Sequence, residues 1–99
     1  MKRNNLYTIN SITNISIPIL KKYNVIRAGI FGSYAKESAK KNSDIDFLVE
    51  VPRGTGLFKF AALRSELKEA LNKEVDLVSY NSIKPQIRDE IISSERKIL

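Results

Sequence analysis

The sequence predicts an α/β (α+β) chain, a β-sheet flanked by helices in the order αβαβαβα. Three observations predict it. Short apolar runs at residues 25–31, 44–51 and 74–79 have the length and β-branched content of strands. Apolar residues at helical spacing lie before, between and after those runs. Turn-forming residues separate one run from the next. Such alternation places helices against a sheet.

Taken in order, residues 1–10 are polar without a clear period and read as a loose lead-in. Ile12, Ile15, Ile19, Leu20 and Tyr23 then recur at helical spacing over residues 11–23. Pro18 lies inside that pattern, where it either kinks the helix or opens a second one after Ser16. Asn24 supplies a stop. Residues 25–31 (VIRAGIF) read as a buried strand, and residues 33–39 as a short helix after a Gly-Ser turn. A polar loop, 40–43, leads to the strand 44–51, with Asp44, Asp46 and Leu48 on one face and Ile45, Phe47 and Val49 on the other. PRGTG, residues 52–56, is a break. The helix over 57–71 carries the stripe Phe60, Leu63, Leu67, Ala70 and Leu71. The strand 74–79 (EVDLVS) opposes Val75 and Leu77 to Asp76 and Val78. Asn81 or Ser82 can cap a last helix through residue 92, with Pro85 in its first turn and Ile83, Ile87 and Ile91 aligned. The tail 93–99 can add a short edge strand.

The chemistry concentrates in residues 32–46, GSYAKESAKKNSDID. Asp44 and Asp46 are two apart on a strand, so both project from the same face. Paired carboxylates repel unless a cation lies between them, and Mg²⁺ suits carboxylate oxygens together with a triphosphate. The Gly32-Ser33 turn can offer backbone N–H groups to a phosphate at the start of a helix. Lys36, Lys40 and Lys41 flank that position. Asp76 is a lone acid in a short apolar strand; if the second and third strands are neighbours, it joins Asp44 and Asp46. Three such carboxylates suit two-metal nucleotidyl transfer, with Asp76 either completing the metal site or orienting and deprotonating the attacking hydroxyl. Each feature alone has a bland reading: a common turn, a solvated strand face, an edge-strand charge. Their joint spacing in a strand–turn–helix–strand context favours the metal–nucleotide site.

Composition narrows the chemistry further. At 99 residues the chain holds one domain and one modest core. It has neither cysteine nor histidine, which removes disulfides, thiolate or imidazole ligands and histidine acid–base catalysis. The net charge of +6 comes from scattered residues. Aromatics are not interleaved with those cations as stacking on nucleic acid requires, so direct nucleic-acid binding is not expected. No apolar run reaches membrane-spanning length and no signal-peptide core opens the chain, so a cytoplasmic protein without a membrane partner is expected.

The frame Gly32-Ser33, ten residues, Asp44-x-Asp46 resembles the signature of the DNA polymerase beta-like nucleotidyltransferase superfamily. With the following Asp76 strand it resembles the minimal nucleotidyltransferase (MntA-like) branch, over residues 18–92. The resemblance implies the nucleotidyltransferase fold, a small mixed sheet packed by helices, with MgATP at the carboxylate cluster. It implies Gly32, Ser33 and Lys36 at the nucleotide, and Asp44, Asp46 and Asp76 as catalytic ligands of about two Mg²⁺ ions. It also implies an antitoxin that transfers AMP from ATP to a tyrosine of a HEPN-type toxin. The branch often carries Arg-Gly where this chain has Lys36-Glu37. Lysine keeps the charge without the fork, and Glu37 adds a negative charge while removing a glycine. That departure favours the alternative, a non-catalytic antitoxin that neutralises its partner by complex formation.

Overall fold

The computed structural model describes residues 7–99. The elements are α1 (Ile9–Lys22), β1 (Arg27–Phe31), α2 (Gly32–Ala35), β2 (Ile45–Glu50), α3 (Gly56–Leu71), β3 (Val75–Ser79), a 3-10 turn (Tyr80–Ser82), α4 (Pro85–Ser94) and β4 (Arg96–Lys97). They form a four-stranded mixed sheet in the order β3-β2-β1-β4. The short tail strand is the fourth member, on the edge beside β1.

Of the lead-in, residues 1–6 lie outside the described residues, while Thr8 already caps α1. Its hydroxyl accepts from the Ser11 N–H at 3.0 Å and the Ser11 hydroxyl accepts from the Thr8 N–H at 2.9 Å, a reciprocal cap. The helix is continuous through Pro18, so no second helix begins after Ser16. Ile12, Ser16 and Leu20 form its buried stripe, and this packing outweighs the hydrogen bond that proline cannot donate. Asn24 and Asn72 follow α1 and α3 in the left-handed region, at φ 60° and 54°. Asparagine tolerates that conformation better than other side-chain-bearing residues.

β1 pairs antiparallel with β2, whereas β2 and β3 are parallel. The parallel pair needs a crossover, and α3 provides it. α1 and α3 cover one face of the sheet, over Ile30, Ile45, Phe47 and Val49, all fully buried. Glu66 of α3 ties the two helices together, accepting from Lys22 Nζ at 2.8 Å and the Tyr23 hydroxyl at 2.7 Å. Leu63, Leu67 and Leu71 carry the core stripe of α3, but Ala70 lies on its exposed side. A span of three residues from Leu67 turns Ala70 by about 300°, off the stripe centred on Leu67 and Leu71.

The other face is only half covered. Leu48, expected beside the aspartates, is fully buried beneath Tyr80 and Ile83, with Phe31, Val78 and Ile91 around them. Ser79, not Asn81 or Ser82, caps the 3-10 turn, and α4 starts afresh with Pro85 in its first turn. α4 and the turn thus cover the middle of this face and leave the end bearing Asp46 and Asp76 open.

Candidate active site

Asp46 is the second residue of β2 and Asp76 the second of β3, and the parallel register pairs them directly. Neighbouring strands lie about 4.8 Å apart, so the two carboxylates leave the same face side by side. Asp44 precedes β2 by one residue and is exposed, as Asp76 is, while Asp46 is half-buried. The expected neighbourhood of the three residues is therefore present. Among the described residues, however, no three acidic groups converge into a closed metal-holding cluster. Like charges on solvent-accessible side chains spread apart when nothing between them neutralises their repulsion.

The electrostatics record that repulsion. Burial pushes the Asp46 carboxyl up to about 6, with further contributions from Asp76 and then Asp44. A divalent cation would reverse each of these pressures, and hard oxygen donors suit Mg²⁺. On charge and donor chemistry the residues present fit the ion.

Gly32 joins β1 to α2 at φ 73°, a conformation that side chains disfavour. A Cβ there would also overlap Oδ2 of Asp46. The glycine does more than form the turn: it gives the Asp46 carboxylate its place. Ser33 follows at the start of α2, whose first N–H groups lack intrahelical acceptors. The helix ends after one turn, well before the expected residue 39. Lys36 donates its N–H to the Gly32 carbonyl at 3.1 Å, and Glu37 then turns left-handed at φ 59°. The Glu37 side chain is largely exposed and faces Arg96 at 4.0 Å. Lys36, Lys40 and Lys41 are solvent-accessible around this turn.

Two supporting residues escape the linear pattern. Arg64 of α3 donates from Nε to the Val75 carbonyl at 2.9 Å, fixing the strand next to Asp76. Lys73 donates from Nζ to the Lys41 carbonyl at 2.7 Å, holding the loop that leads to Asp44. Their roles depend on partners 11 and 32 residues away. No local spacing announces them.

Comparison with known proteins agrees with this geometry. A family model described as "Polymerase beta, Nucleotidyltransferase" matches residues 14–99. MJ0435 of Methanocaldococcus jannaschii, provisionally named a protein adenylyltransferase, is 48% identical over 91 residues, covering 92% of this chain and 98% of that protein. Protein adenylyltransferase MntA of Thermococcus cleftensis is 36% identical over 72 residues, 73% of each chain. A crystal structure of a toxin–antitoxin with AMP-PNP superposes with TM-score 0.77 at 25% identity, over 88% of this chain and 72% of that one. The chain belongs to the polymerase beta nucleotidyltransferase family, in its minimal, MntA-like branch.

Proposed function

We propose that this chain transfers AMP from ATP to a tyrosine hydroxyl of a HEPN-type toxin, and so acts as that toxin's antitoxin in the cytoplasm. The observation that carries the reading is the direct pairing of Asp46 with Asp76 across β2 and β3, beside the Gly32 turn. The relatives named as protein adenylyltransferases support it, as does the toxin–antitoxin likeness with its ATP analogue.

Asp44, Asp46 and Asp76 would hold Mg²⁺, which supplies charge neutralisation of the triphosphate and Lewis-acid polarisation at phosphorus. The N–H groups after Gly32 and Ser33 bind the phosphates, and Lys36 adds a positive charge. The tyrosine oxygen attacks the α-phosphorus and pyrophosphate leaves. The hydroxyl proton passes to a carboxylate, a role we assign to Asp76, exposed at the open end, as the alternative to its completing the metal site.

The test combines ATP labelled at its α-phosphate, Mg²⁺, this chain and the product of its neighbouring gene. Label on a tyrosine of that protein, lost with Asp44→Asn, is the expected result. Tight complex formation without label would leave a non-catalytic antitoxin instead.

A further inference from the structure

At the end of the sheet remote from the aspartates, three large apolar side chains face solvent. Ile26 is 58% exposed, Leu57 87% and Phe58 96%. They come from separate stretches of the chain. Ile26 precedes β1 and donates its N–H to the Glu50 carbonyl at 2.8 Å, beside the end of β2. Leu57 and Phe58 open α3, shortly after the turn at residues 52–54 that follows β2. Leu57 also borders an open groove of about 470 Å³ lined by Val51, Pro52, Phe60 and Leu77. Five residue steps along the strand lead from Asp46 to Val51, so this end lies about 16 Å from the catalytic end.

Exposed apolar residues are ordinary when scattered, but Leu57 and Phe58 are consecutive, nearly fully exposed, and adjoin a groove that Leu57 lines, and such a grouping marks an interaction surface. Neither Leu57 nor Phe58 supports the core, and α3 would form as well with polar residues there. Charge decides the occupant. Arg53 and Lys59 flank the patch in sequence, and each chain carries +6. Self-association through this surface would bring those cations against their own copies, a costly juxtaposition. An acidic partner gains from the same charges.

We propose that the surface formed by Leu57, Phe58 and the groove beside Leu57 docks an acidic partner protein, which seats apolar side chains on Phe58 and in the groove. This rests on the reading that the chain acts on a partner protein, and it divides the labour. One end of the sheet carries the chemistry and the other holds the substrate protein.

The test measures affinity of the full chain for the product of its neighbouring gene, using wild type, the Leu57→Asp/Phe58→Asp variant and Ile87→Asp as a control on α4. The double variant should fold normally and bind MgATP with unchanged affinity, while losing at least tenfold in partner affinity. Ile87→Asp should bind the partner as wild type does. Wild-type affinity should also weaken as Arg53 and Lys59 are replaced by glutamate. Equal binding by the double variant, no binding by the wild type, or loss confined to Ile87→Asp overturns the proposal. A wild-type dimer in sedimentation that the double variant abolishes would overturn it in favour of self-pairing. Docking lost in the double variant, with no AMP transfer by the wild type, would uphold the surface and reject the enzymatic reading alone.

Discussion

Gly32 and Asp46 compete for the same space: the carboxylate of Asp46 occupies the position a side chain on residue 32 would need. The turn and the aspartate therefore form one unit. Gly32→Ala should destabilise the chain by about 1–2 kcal/mol through its left-handed backbone alone. It should also displace the Asp46 carboxylate and lower MgATP affinity at least tenfold. Gly54 provides the control, at φ 87° with nothing within 4 Å of the place a Cβ would take. Gly54→Ala should cost about 1 kcal/mol and leave nucleotide affinity intact. Urea unfolding and calorimetric titration of both variants separate strain from steric displacement.

Asp46 should trade stability for function. Its folded-state carboxyl lies at about 6 against an ordinary 3.8, because of burial and then the charges of Asp76 and Asp44. The folded state thus binds this proton more tightly than the unfolded state does. The stability it contributes is fully present below pH 3.8 and is lost as pH rises through about 6. Partial exposure screens the effect to about 1 kcal/mol. In metal-free buffer at pH 7, Asp46→Asn should therefore be more stable than wild type by about that amount, yet fail to bind Mg²⁺. The difference between the two proteins should shrink toward about pH 4. Urea unfolding in chelator at several pH values gives this difference, in which the other carboxylates largely cancel.

The placement of these aspartates is readable from the chain because it follows local rules. A strand alternates faces, so Asp44 and Asp46 must share one, and the Gly-Ser turn before them needs no distant partner. That Asp76 stands beside Asp46 rests on strand order, which α3 permits but no residue in β3 specifies. Leu48 reads as a residue of the open face because nothing in β2 announces that Tyr80 and Ile83 will cover it. Ala70 shows the opposite error: an apolar residue near a helical stripe need not belong to it, since alanine is small enough to be tolerated at the surface. The early end of α2 is hidden because Glu37 gives no warning of a left-handed backbone.

Glu37 should be dispensable for nucleotide binding and costly for stability. It sits at φ 59°, where glycine is the favoured residue, and its carboxylate is directed to Arg96 on the β4 edge. Glu37→Gly should raise stability by about 0.5–1 kcal/mol. MgATP affinity should change less than about twofold, because the carboxylate is drawn toward Arg96 and not toward the strand pair that carries Asp46 and Asp76. An affinity gain of about tenfold would show instead that Glu37 opposes the triphosphate directly. Thermal unfolding and titration of this one variant decide between the two.

The Tyr80 hydroxyl should hold the C-terminal strand in place. It donates to the Glu95 carboxylate, and that carboxylate lies over Gly29, where a Cβ would overlap it. The Arg27 guanidinium stacks on the Tyr80 ring, 3.9 Å from its centre, and pairs with Glu50 at 3.5 Å. Burial and the neighbouring Glu95 raise the phenol above its ordinary range, so it remains a donor at all working pH values. Tyr80→Phe keeps the ring and the Arg27 contact but leaves Glu95 without its donor. It should cost about 1.5–3 kcal/mol, the range for hydrogen bonds to charged groups. Because Glu95 immediately precedes β4, the loss should appear first in that strand. Hydrogen exchange at the Ile98 and Leu99 amides, which donate to the Ala28 carbonyl at 2.9 and 3.1 Å, should accelerate more than exchange in β2. Uniform acceleration across the sheet would mean that Tyr80 supports the whole core instead of anchoring its edge.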